Sequence, residues 1–186
     1  MYKVFPLLLA LLLTSCISVS YPGATINTAG RATNTEASQY ERQKIIKIRT
    51  ALLGMDPSVT YKDADAIANM VVYYSQVLAN RYKLITPPLL HNIMVNTGFK
   101  PRGLCRDWTE DLIKRSWEIN PESLDIYWGV ASRGSTMHEH SSLVITAKRK
   151  PFSTGYILDP WRNSGNLFWV KVTEDPEYQW EDLNAK

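Results

Sequence analysis

Gly103-Leu104-Cys105-Arg106-Asp107-Trp108 is the stretch on which the fold of this chain turns, because it puts a thiol where a helix begins. Beyond it Trp108, Leu112, Ile113 and Trp117 recur at helical spacing, while Glu110, Asp111, Lys114 and Arg115 fill the other face. Pro101 and Gly103 break regular structure just upstream. A thiol at a helix N-terminus meets the positive end of the backbone dipole and unpaired N–H groups, which favour the thiolate and hence the nucleophile. Taken alone, Cys105 also fits a small buried hydrophobe, as most free cysteines are, and a chemical role needs a histidine elsewhere in the chain.

The chain has 186 residues, room for one domain with a real core once a leader is set aside. Six Trp and ten Tyr, weighted towards the second half, suit a packed sheet or a groove. The net charge of +3 is spread out, with no long basic run and no interleaving of basic and aromatic residues, which argues against a nucleic-acid partner.

Met1-Tyr2-Lys3 supplies a positive start, residues 4–13 are nearly all apolar, and Leu13-Thr14-Ser15-Cys16 closes the run. Such a segment is a secretory leader, too short to span a bilayer comfortably. The tetrapeptide resembles the lipobox of bacterial lipoproteins. That resemblance implies a signal peptide over residues 1–15 and a diacylated Cys16 as first mature residue, with an ordinary cleaved signal or a short anchor as the alternatives. Ile17 after the cysteine, in place of an acid, is compatible with the outer membrane of a cell that has one. Only two cysteines exist, so an acylated Cys16 leaves Cys105 with no disulfide partner. An unpaired thiol in an oxidising compartment points to chemistry; without acylation a Cys16–Cys105 bridge becomes possible.

Residues 16–38 are rich in Ser, Thr, Asn, Gly and Ala without apolar periodicity, and are expected to form a flexible tether. A single domain follows over residues 39–186. Helices are predicted over 36–53, ended by Gly54, and from Lys62 or Asp63 to Arg81, with Ile67, Met70, Val71, Tyr74, Val77 and Leu78 as an apolar stripe. A short helix opens at Thr86-Pro87-Pro88 and ends by Gly98. His91 lies on it as a surface or satisfied histidine, with no second metal-type residue at helical spacing. After Asn120-Pro121, runs at 124–130, 141–147, 154–158 and 167–172 suit strands. Helices followed by an antiparallel sheet make an α+β fold.

His140 stands at the mouth of the second of these strands, after Met137-His138-Glu139, and Asp159-Pro160 closes the third. On neighbouring strands Asp159 would hold one nitrogen of the His140 imidazole, fixing its tautomer so that the other takes the proton of Cys105. Cys105, His140 and Asp159 are then nucleophile, base and orienter in chain order. His138 competes for the base role, a zinc site built on His138-Glu139-His140 with Cys105 or Asp159 as further ligands is a second reading, and Asp159-Pro160-Trp161 also fits a plain turn. Trp128 and Trp161 fit either the cleft or the core.

These three motifs resemble the transglutaminase-like cysteine proteinases, a branch of the papain-like fold, over residues 101–172. The family pattern is a Gly-x-Cys-Arg-Asp-aromatic helix start, a histidine opening a strand, and an Asp-Pro ending the next. Gly103-Leu104-Cys105-Arg106-Asp107-Trp108, His140 and Asp159-Pro160 match it, and the separations fit one helix and a hairpin. Many relatives carry Trp after the histidine where this chain has Ser141, which implies a different substrate tunnel. The resemblance implies a Cys105–His140–Asp159 triad that acts on amide bonds through a thioester and needs no cofactor or metal. Asp107 would stabilise the helix dipole, and the oxyanion would meet the Cys105 N–H plus a second donor upstream, Asn92 or Asn96. The lipobox adds a membrane partner through Cys16, a place in the bacterial cell envelope, and peptide substrates such as those of peptidoglycan. A catalytically inactive envelope lipoprotein that uses the same cleft for binding is the competing reading.

Overall fold

A computed structural model describes residues 17–135 and 138–185. The leader over residues 1–15 and Cys16 lie outside the described residues. Among the described residues no helix is long and apolar enough to cross a membrane.

Four α-helices precede the main sheet: α1 (Gln39–Leu53), α2 (Tyr61–Arg81), α3 (Pro88–Asn96) and α4 (Cys105–Ile119). Their starts follow from local chemistry. Ser38 caps α1 by accepting from the Glu41 N–H, and Glu41 reaches back to the Ser38 N–H, a reciprocal box that places the first turn at Gln39 and not at 36. Thr60 caps α2 in the same way by accepting from Asp63 N–H. Pro88 occupies the first position of α3, where the missing N–H costs nothing.

The main sheet is antiparallel throughout, built from β5 (Leu124–Ala131), β6 (His140–Ala147), β7 (Tyr156–Asp159), β8 (Phe168–Lys171) and β9 (Trp180–Asp182), in the order β8-β7-β6-β5-β9. The fold is therefore α+β, as the helix-then-strand pattern implies. Every residue of the central strand β6 is buried. One side of the sheet joins the main core, where Leu143, Ile145 and Leu158 meet Trp108 and Leu112 of α4 and Ile67 and Val71 of α2. Val144 and Ile157 point the other way, into a smaller cluster with Val172. Alternate side chains of one strand thus serve two cores, which is why Leu143-Val144-Ile145 in the middle of β6 is apolar on both faces.

The expected tether over 16–38 departs from the structure. β1 (Ile17–Ser18) pairs with β4 (Ile85–Thr86), and β2 (Ala24–Ile26) pairs with β3 (Ala32–Asn34) as a hairpin against α2. Asn80 holds the Tyr21 backbone from both sides, its Oδ1 accepting from the N–H and its Nδ2 donating to the carbonyl, both at 2.9 Å. Asn34 Nδ2 donates to Gln76 Oε1 at 2.8 Å. Small polar residues without periodicity gain their order here from long-range amide bonds to α2.

Candidate active site

Cys105 is the first residue of α4, and three features fix it there. Asp107 Oδ2 accepts from the Gly103 and Leu104 N–H groups at 2.8 and 3.0 Å, closing the turn before the helix. Trp108, buried in the core, donates its indole N–H to the Gly103 carbonyl at 3.1 Å. Gly103 itself has φ +127°, and a Cβ there would sit 2.2 Å from His91 Nε2. Only glycine fits, because the backbone must pass directly over the imidazole. His91, fully buried, has Nε2 2.9 Å from the Arg102 carbonyl, while Nδ1 accepts from Ile85 N–H at 3.3 Å. Burial lowers its pKa, in keeping with a neutral ring that donates from Nε2. His91 is a satisfied histidine, and its work is to position the loop that carries the thiol.

His140 and Asp159 meet through the sheet register. Leu143 faces Leu158 across β6 and β7, so Ser142 lies level with Asp159, and His140 falls two residues along the same face. Its Nε2 lies 2.6 Å from Asp159 Oδ2, and both residues are buried. Nδ1 has no other partner among the described hydrogen bonds, and the half-buried Cys105 thiol lies close enough to the ring to act on its pKa. Burial of the ring opposes its cation, but the bond to Asp159 and the neighbouring Cys105 outweigh that and push its pKa up to about 9.

Around this centre lies a second ring of groups that the sequence reading missed. Arg162 Nε donates to Asp159 Oδ2 at 2.8 Å, and the rest of its guanidinium clasps Asp175. Trp180 Nε1 holds the same Asp175 carboxylate at 2.7 Å. Burial alone would raise the pKa of Asp175, but Arg162 and Trp180 hold it down at about 2. Arg162 stacks on Phe168 and Tyr178, with its carbon centre 4.3 and 4.6 Å from the ring centroids. The His140 ring in turn is flanked by Tyr178 at 4.7 Å, Trp161 at 4.8 Å and Trp180 at 5.5 Å. Asp159 Oδ1 accepts from Trp161 N–H at 3.0 Å, so the Asp-Pro-Trp turn and the orienting carboxylate are one device.

Of the other candidates, His138 is exposed, with Nδ1 3.4 Å from Ser135 Oγ, and does not share the buried site. Among the described residues no group of three or more His, Cys, Asp or Glu is arranged to hold a metal ion. Trp161 donates from Nε1 to Asn92 Oδ1 at 3.1 Å, which brings Asn92 to the wall of the site with its Nδ2 free of other partners among the described residues; Asn96 is exposed. Trp128 lines a recess of about 230 Å³ with Arg106, Asp107, Glu139 and Ser141. Arg106 is exposed there. A larger cavity of about 490 Å³ lies elsewhere, between the β2–β3 hairpin, α2 and the far end of α4. Comparison with known proteins finds no matching family model, curated protein or solved structure.

Proposed function

We propose that the chain is a lipid-anchored thiol enzyme of the cell envelope that acts on peptide amide bonds, with Cys105 as nucleophile, His140 as acid and base, and Asp159 as orienter. The observation that carries this reading is the His140–Asp159 bond of 2.6 Å, buried beside a thiol on the first turn of a helix. The likeness of the three motifs to transglutaminase-like, papain-fold proteinases supports it, as does a catalytic helix packed on the sheet that carries the histidine.

In the proposed cycle the Cys105 thiol proton passes to His140 as the sulfur bonds to an amide carbonyl carbon, and the oxyanion accepts from the Cys105 N–H, which has no other acceptor among the described hydrogen bonds. Asn92 Nδ2 supplies the second donor. The C–N bond breaks as protonated His140 gives its proton to the leaving amine, leaving a thioester. Neutral His140 then takes a proton from water or from an acceptor amine, whose attack releases the acyl group and restores the thiol site. Water makes the reaction a peptidase or amidase, and an amine makes it a transglutaminase. The envelope address inferred from the lipobox favours peptidoglycan or envelope-protein peptides as substrates.

An activated ester tests the chemistry without the natural substrate. With p-nitrophenyl acetate, wild-type protein is expected to release a burst of one equivalent of nitrophenol and to gain one acetyl group on Cys105 by mass. Cys105→Ser should show no thioester, and His140→Ala should acylate at least tenfold more slowly. An equal rate in wild type and His140→Ala rules out the dyad and leaves a binding lipoprotein.

A further inference from the structure

Exposed large apolar side chains are scattered singly over most of this surface, but three gather on one stretch: Leu89, Ile93 and Phe99, 67, 58 and 78% exposed. Leu89 and Ile93 stand one helical turn apart on α3, opposite the buried His91, and Phe99 follows in the turn after it. The same stretch is one-sided in charge. Residues 82–104 contain Lys83, Lys100 and Arg102 and no Asp or Glu, and Arg81 precedes them; Arg102 is paired with Glu110 and Asp111 of α4, so Arg81, Lys83 and Lys100 are the cations without an acidic partner among the described salt bridges. Residues 17–35 likewise contain Arg31 and no acid. An apolar helix face rimmed by cations fits the boundary of an anionic bilayer, where the apolar groups enter the acyl region and the cations meet phosphates.

The position of the chain's N-terminal side selects that occupant. Ile17 pairs with Thr86, two residues before α3 begins. Cys16 directly precedes Ile17, so no slack separates it from the domain. Covalent geometry alone keeps an anchor at the residue before Ile17 within about 15 Å of the start of α3, one covalent step plus one strand spacing plus two residues of extended chain.

We infer that α3 and the Phe99 turn are a second membrane contact, through which the domain lies directly on an anionic phospholipid surface beside its N-terminal anchor. This rests on the lipoprotein reading of Cys16 for the identity of the anchor. The surface sits next to the candidate active site, since Asn92 of α3 bonds Trp161 and the loop after Phe99 leads to Cys105. Docking there holds the cleft at the bilayer face, so the substrates within reach are those at the membrane surface.

The test uses the full chain, expressed with its leader and reconstituted in vesicles of phosphatidylcholine and phosphatidylglycerol that carry a diazirine on one acyl chain. After photolysis and digestion, carbene adducts are mapped by mass. The peptide with Leu89, Ile93 and Phe99 should carry at least tenfold more adducts than the peptide with Trp117, an equally exposed apolar residue. Leu89→Glu with Ile93→Glu should remove the excess. Labelling of the α3 peptide no greater than that of Trp117 overturns the inference, and so does an α3 face protected by a second copy of the chain. The same digest reads the anchor separately. A diacylglyceryl mass on Cys16 supports the lipoprotein reading, and an intact unmodified leader removes it. The α3 labelling still decides the docking in that case, because the leader's apolar run would itself hold Ile17 at the bilayer.

Discussion

Replacing Asp159 by Asn keeps the shape of the site and removes its charge, and the structure says how the cost should vary with pH. The imidazole of His140 has a pKa pushed up to about 9 in the folded protein, against 6.5 for an unperturbed histidine. A folded-state pKa above the unfolded one means that the folded form binds the proton more tightly. The stabilisation is therefore complete below pH 6.5, declines between 6.5 and 9, and is gone above 9. That difference in pKa corresponds to about 3 kcal/mol when complete. In Asp159→Asn the burial that disfavours the cation remains and the hydrogen bond to it loses its charge, so the larger share of this contribution disappears while the share from Cys105 stays. Arg162 also loses one of its carboxylate partners, a cost that does not change across this range. Urea denaturation followed by tryptophan fluorescence at pH 6 and pH 9.5 measures both parts. The gap between wild type and variant should be wider at pH 6, by up to about 3 kcal/mol. A gap of equal size at the two pH values refutes the assignment of a stabilising charged His140–Asp159 pair.

Three further outcomes follow from the same geometry. In Cys105→Ala, which removes one of the two neighbours that raise it, the His140 pKa followed by NMR should fall below its wild-type value; an unchanged titration means that thiol and ring do not interact. Arg162→Gln strands the buried carboxylates of Asp159 and Asp175 and should cost about 3–5 kcal/mol by denaturation; a loss under 1 kcal/mol would show that the clasp holds nothing in place. Gly103→Ala places a methyl group against His91 at a positive φ and should destabilise by roughly 3 kcal/mol, with slower Cys105 alkylation in the protein that remains folded. His91→Ala in the same chain should recover part of that loss by making room.

The helices and main strands are legible in the sequence because each carries its own stop signs and its own period. Trp108, Leu112 and Ile113 announce α4, Gly103 its start, and the observed helix runs from Cys105 to Ile119. Cys105, His140 and Asp159 are legible for a related reason, since each sits at the end of a periodic element. What the sequence hides is held by distant partners. The 17–34 region looks like linker because its order depends on Gln76 and Asn80, more than forty residues on. Strand β9 is three residues long and pairs with β5 from about fifty residues away, too short for any alternation to show. Arg162 and Asp175 were within sight, one three residues past Asp159 and the other in the acidic run before Tyr178 and Trp180. Their pairing becomes visible only when the chain folds back over β8.

The clasp of Asp175, Tyr178 and Trp180 over Arg162 and His140 means that the latest-synthesised part of the site braces the earlier parts. A chain leaving a ribosome or a translocation channel N-terminus first exposes Cys105 some seventy residues before Asp175 emerges. Until then Asp159 and Arg162 lack their keystone, and the thiol has no fixed partner. A polypeptide cut short ahead of Asp175 would keep Cys105, His140 and Asp159 and still lack the clasp that braces them, so the site is complete only once the last dozen residues have folded back.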